Sequence, residues 1–111
     1  MQWYKEVEQD DGTVVTVPST IGEGAAHDRW QIVTIIPPMR VSTVFLGLDH
    51  AGMLYETMVF HGDEPHDRWP HGQRSHHQAS YDMVRYRTRA EAEHGHAVVC
   101  VRWRDIVDAK A

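Results

Sequence analysis

Histidine is the residue type through which this 111-residue chain could do most chemistry, because nine are present. Five of them, His61, His66, His71, His76 and His77, fall in a stretch that parses as His-Gly-Asp-Glu-Pro, His-Asp-Arg-Trp-Pro, His-Gly-Gln-Arg-Ser and His-His-Gln-Ala-Ser. Imidazole is the commonest protein ligand for zinc, copper and nickel, so these rings could gather a metal. A spacing of five matches no established ligand pattern, however, and nothing in the stretch would orient the rings from behind. A solvated polar loop is the better reading, ahead of weak adventitious metal binding. His94 and His96 flank Gly95. On a helix, residues two apart point about 200° from each other, so this pair cannot chelate one ion unless the helix breaks at Gly95. His94, sharing a face with Val98, fits a packed or capping histidine better than a ligand. The third cluster is Asp49-His50 with Glu56 and His96, where carboxylate and imidazole could form an acid–base pair or hold zinc. The plainer reading makes Asp49 a turn cap. Cys100, inside Val-Val-Cys-Val, reads as a small buried hydrophobe. No nucleophile elbow, phosphate loop, HExxH or Gly-rich dinucleotide turn occurs. The expectation is therefore a protein that is not an enzyme and has no cofactor. The alternative is a small metal-binding or metal-dependent protein, with zinc on His50, Glu56 and His96 or on the histidines of 61–77.

The elements that would position these residues follow from local pattern. Residues 2–8 and 13–17 predict a hairpin turning on Asp11-Gly12, a favoured two-residue turn. Residues 18–28 have loop composition. Residues 29–36 predict a strand stopped by Pro37-Pro38, since proline cannot donate to a ladder and forbids helical backbone before it. Residues 40–48 carry the strongest alternation, with Val44, Leu46 and Leu48 on one face and Val41, Thr43, Phe45 and Gly47 on the other. Ala51-Gly52 then turns the chain into a strand over 53–60. A tight turn there sets Gly47 opposite Glu56, Phe45 opposite Met58 and Val44 opposite Val59. Residues 61–80 form the histidine-rich loop, with Trp69 as its one aromatic anchor. A last strand spans 81–87, and Thr88-Arg89-Ala90-Glu91 is a capping box opening a helix over 89–108. Gly95 sits awkwardly in that helix, at a cost of about 1 kcal/mol relative to Ala.

The expected fold is α+β, an antiparallel sheet of four to six strands with one long C-terminal helix packed on one face. The whole of 1–111 is a single domain. At 100° per residue, Ala90, His94, Ala97 and Val101 line one helix stripe, and Ala92, Val99, Trp103 and Ile106 line nearly the opposite one. A helix apolar on two sides is covered on two sides, which predicts a homodimer. Trp69, Trp103, Val99 and Ile106 are the candidate protein-binding residues.

Composition narrows the partners. With 16 acidic residues against 11 basic ones, the formal charge is −5 with histidine neutral. It swings to +4 with all nine histidines protonated, mostly near their ordinary pKa of about 6.5. Such a balance supplies no basic groove and excludes nucleic acid as the expected partner. The single cysteine excludes a disulfide framework and a multi-cysteine zinc site. No run approaches the length of a membrane span and the N-terminus lacks a signal-like apolar core, so an intracellular, soluble protein is expected.

Three blocks carry a family resemblance. Val41-Ser-Thr-Val-Phe-Leu-Gly-Leu-Asp-His50, then Tyr55-Glu-Thr-Met-Val-Phe60, then Arg85-Tyr-Arg-Thr88 with Glu91-Ala-Glu-His-Gly-His96 fall within residues 41–96, a span of about half of the chain. In that order they resemble a family of small proteins of tailed bacteriophages, especially actinobacterial phages, and of prophages. The histidine loop after Phe60 departs from the short Gly-rich link usual in that family, and the Ala51-Gly52 turn after His50 departs from the longer loop usual there. The resemblance implies phage origin, expression in the cytoplasm of a bacterial host, and one continuous helix after Thr88. It implies no activity. By analogy with other small phage proteins, the expected function is to bind and modulate a host or phage protein.

Overall fold

The computed structural model describes residues 2–20, 30–62 and 81–110. His66, His71, His76, His77 and Trp69 lie outside the described residues. Those described form β1 (Trp3–Glu8), β2 (Val14–Ser19), β3 (Gln31–Ile36), β4 (Met39–His50), β5 (Met53–His61), β6 (Asp82–Tyr86) and α1 (Arg89–Lys110). The six strands make one antiparallel sheet in the order β2-β1-β4-β5-β6, with β3 also paired to β4. The long C-terminal helix packs across this sheet, an α+β arrangement.

Local chemistry accounts for most of the boundaries. Between β1 and β2 the connection is five residues rather than two, because Glu8 pairs with Val14. Asp11 organises it by accepting from both the backbone N–H (3.0 Å) and the hydroxyl (2.6 Å) of Thr13, and these bonds hold its carboxyl below the usual range. Ile36 pairs with Met39, so Pro37-Pro38, joined by a cis bond, is itself the turn between β3 and β4. The capping box closes as its spacing requires. Thr88 Oγ1 accepts from the Glu91 N–H at 3.2 Å, and Glu91 Oε1 accepts from the Thr88 N–H at 3.1 Å.

β4 is the organising strand. Its first half lies between β3 and β5, and beyond the middle it meets β1, with Trp3 opposite Leu48. The expected pairing with β5 is corrected here. His50 lies opposite Met53, as a tight turn demands, but the next pair is Phe45 with Tyr55. Val44 faces Glu56 and Thr43 faces Thr57, so Gly47 is not the neighbour of Glu56. Three extra β4 residues are taken up in a bulge at Gly47, whose φ of +77° is a conformation that suits glycine. Within the irregular stretch Leu48 pairs with Trp3 of β1.

Alternation puts Met39, Val41, Thr43 and Phe45 on the face under α1. There Val41 and Val59, both fully buried, pack with Ile36, Met39, Val99 and Cys100. A second cluster gathers Phe45, Leu54, Tyr55 and Ala92, with Tyr4, Trp30 and Tyr86 against it. Burying each large apolar side chain contributes about 1.5–3 kcal/mol, which is the main term holding helix to sheet. Val99 is therefore a core residue rather than a binding residue, at 2 % exposure. Gly95 finds its reason in the same layer. A Cβ there would lie 2.2–2.4 Å from the ring of Tyr86, so glycine is what lets β6 approach the helix.

Candidate functional site

His50, Glu56 and His96, the candidate zinc ligands, are each engaged differently. Among the described residues no group of three His, Cys, Asp or Glu side chains is arranged to hold a metal ion. Glu56 is 3 % exposed and accepts from Arg85 Nε at 2.8 Å across the β5–β6 pair. His50 ends β4, where Asp49 accepts the Gly52 N–H and caps the turn. Ala51 and Gly52 both have positive φ, as a two-residue hairpin turn of this hand needs.

His96 is buried at 6 % exposure, and both ring nitrogens have threonine partners. Thr34 Oγ1 on β3 lies 2.8 Å from Nε2, and Thr43 Oγ1 on β4 lies 2.7 Å from Nδ1. Thr43 bonds in turn to Thr57 on β5, which accepts from the hydroxyl of Tyr86 on β6 at 3.0 Å. One polar line thus crosses four strands beneath the helix. Each threonine hydroxyl can donate or accept, so this network satisfies both ring nitrogens of His96 in either neutral tautomer. Burial holds the His96 pKa below its ordinary value and raises that of Tyr86. A ring with both nitrogens used and almost no exposure is a structural tie between α1 and the sheet. It presents no lone pair to a metal or substrate.

The open site lies at the other end of the helix. Pro37, Pro38 and Met39 from the β3–β4 turn, His61 from the end of β5, Tyr81 before β6, and Trp103, Ile106, Val107 and Lys110 from α1 line a cleft of about 600 Å³. Its walls are mostly apolar and its rings are held in contact. Tyr81 meets Trp103 edge-on at 6.2 Å between centroids, and His61 lies 6.5 Å from Tyr81. The Trp103 ring is fixed by its own polar edge, since Nε1 donates to Asp82 Oδ2 at 3.2 Å. Arg102 donates to the same oxygen at 2.6 Å. Backbone bonds set the two cleft walls on β5 and β6, from Gly62 N to Pro38 O and from Tyr81 N to Val59 O, both 2.8 Å.

Of the candidate binding residues, Trp103 and Ile106 line this cleft, Val99 lies beneath it in the core, and Trp69 is outside the described residues. His94 is exposed on the outer helix face, as is Val98. Sequence reasoning missed the cleft partners Pro37, Pro38, Tyr81 and Val107, and it missed the threonines around His96. A signal for the latter existed: Thr43 is a polar residue on the same face as Val41 and Phe45, and such a residue needs a partner.

No helix among the described residues is long and apolar enough to cross a membrane. Comparison with protein-family models, with curated proteins and with solved structures finds no match to this chain.

Proposed function

We propose that this chain is a non-enzymatic phage accessory protein that binds and modulates a host or phage protein in the cytoplasm of the bacterial host. The observation that carries the reading is the aromatic cleft at the C-terminal end of α1. Protein interfaces concentrate their binding energy in a few aromatic side chains set in apolar surroundings. Tyr81, 61 % exposed, and Trp103, anchored by Asp82, have that character, with Pro37 and Pro38 as a stiff rim. An apolar or aromatic side chain of a partner segment is the ligand chemistry that such walls accept. Of the candidate acid–base residues, His96 is engaged by Thr34 and Thr43, and Glu56 by Arg85.

The test compares tagged wild-type protein with Tyr81→Ala and Trp103→Ala in affinity capture from the bacterial host. A partner recovered by wild type should bind each variant at least tenfold more weakly, an effect of about 1.4 kcal/mol or more. Tyr81→Ala guards against misfolding, because that side chain is mostly exposed. Equal recovery by all three proteins, or no reproducible partner and no effect on host growth, would refute the proposal.

A further inference from the structure

The cleft at the C-terminal end of α1 constrains its occupant through the polar groups that it withholds. Gly62 N–H donates to Pro38 O and Tyr81 N–H donates to Val59 O, both at 2.8 Å, so these two amides are spent on the protein itself. Pro37 and Pro38 have no N–H to give. The indole N–H of Trp103 is directed at Asp82, at 3.2 Å. Apolar side chains remain, together with the Tyr81 hydroxyl, the His61 ring and the Lys110 ammonium. A segment adding itself as a strand needs free backbone donors along the wall, and these amides are taken. A proline-rich segment makes no internal hydrogen bonds and needs donors for its carbonyls, but the indole N–H is occupied. A helix needs neither, because it satisfies its backbone internally and brings only side chains.

Charge narrows the choice further. Among the described residues no carboxylate lines the cleft, and Lys110 is its one ammonium. No ion pair among the described residues engages Lys110, whereas Asp82, beside Trp103, is offset by Arg102 at 2.6 Å. The mouth is thus cationic on a chain of formal charge −5. We infer that the cleft takes a helical segment of a partner protein, with large apolar side chains seated against Tyr81 and Trp103 and a flanking Asp or Glu meeting Lys110. This rests on the reading of the cleft as a partner-binding site and adds the chemistry of the partner. A basic flank would set like charge against Lys110. A terminal carboxylate fits less well, since its capture needs a nest of free backbone N–H groups and the end of α1 presents carbonyls instead.

Selection from a random-sequence peptide library tests this. Peptides that bind wild type and lose binding to both Tyr81→Ala and Trp103→Ala report on the cleft. They should carry large apolar residues three or four apart with Asp or Glu beside them, and circular dichroism should show them gaining helix on binding. At low salt Lys110→Glu, at an exposed position, should bind them about threefold or more weakly. Replacing the acidic flank of a peptide by Lys should restore its affinity for that variant. If no selected peptide depends on Tyr81 or Trp103, the partner-binding reading of the cleft fails and the inference falls with it. If cleft-dependent peptides emerge but are proline-rich, extended or basic, or are indifferent to Lys110→Glu, the cleft reading stands and the acidic helical partner is wrong.

Discussion

The contact between Gly95 and Tyr86 yields a prediction whose sign, not only its size, depends on the tertiary structure. In an isolated helix Gly→Ala stabilises by about 1 kcal/mol, because glycine loses more backbone entropy on folding. Here the added Cβ would stand 2.2 Å from Cε1 of Tyr86 and 2.4 Å from Cζ and the hydroxyl, against ordinary contacts of 3.4–4 Å. The ring must therefore retreat by about 1 Å or more, and a ring is too stiff to yield at its tip alone. Overpacking of this kind costs about 1–3 kcal/mol. Retreat also breaks the 3.0 Å bond from the Tyr86 hydroxyl to buried Thr57, worth about 0.5–1.5 kcal/mol. Subtracting the helix gain, Gly95→Ala should destabilise the protein by about 1–3 kcal/mol. In a Tyr86→Ala background the obstacle is gone, and the same substitution should stabilise by about 0.5–1 kcal/mol. Urea denaturation followed by circular dichroism, at one fixed protein concentration, measures all four members of this cycle. If Gly95→Ala stabilises the wild type as much as it does Tyr86→Ala, the proposed role of Gly95 is wrong.

Two further predictions concern the helix and its tie to the sheet. Burial lowers the His96 pKa in the folded protein, so below its unfolded value of about 6.5 the unfolded chain binds the extra proton and the folded one resists it. The stability that neutral His96 contributes is thus complete above about pH 6.5 and is lost as pH falls toward the depressed native value. The slope reaches at most about 1.4 kcal/mol per pH unit. Denaturation midpoints measured from about pH 8 down to pH 5 should fall more steeply for wild type than for His96→Gln, and parallel curves would remove His96 as the cause. Thr88→Ala removes the hydroxyl that accepts the Glu91 N–H, and should cost about 1 kcal/mol in denaturation. A change below about 0.3 kcal/mol would show that the capping box is idle in the folded chain.

Much of the fold is legible locally. The alternation of residues 40–48 depends only on which residues are apolar, and β4 presents Val41, Thr43 and Phe45 to the helix as that pattern requires. The capping box at Thr88 and the stop at Pro37-Pro38 are short-range chemistry, and both lie where they were expected. The strand pairing failed in one respect for a nonlocal reason. A tight turn at Ala51-Gly52 sets the register only as far as the chain stays regular, and the irregular stretch around Gly47 contains Leu48, which pairs with Trp3 from the far end of the sequence. At His96 residue identity alone left a packed ring and a metal ligand both open, because the choice depends on Thr34 and Thr43, 62 and 53 residues away.

Taken alone, the order of residues determined the six strands and the long helix, because these follow from periodicity and caps within reach of a few neighbours. It also singled out Trp103 and Ile106, since a helix apolar on two sides advertises both. Only the tertiary structure decided which side faces the sheet, placing Val99 in the core and leaving Val98 and Val101 outside. Only it gathered Pro37, His61, Tyr81 and Trp103 around one cleft, and only it gave Gly95 a purpose. The physical reason is the same in each case. Packing and hydrogen bonding join residues far apart in the chain, and no local pattern records the partner.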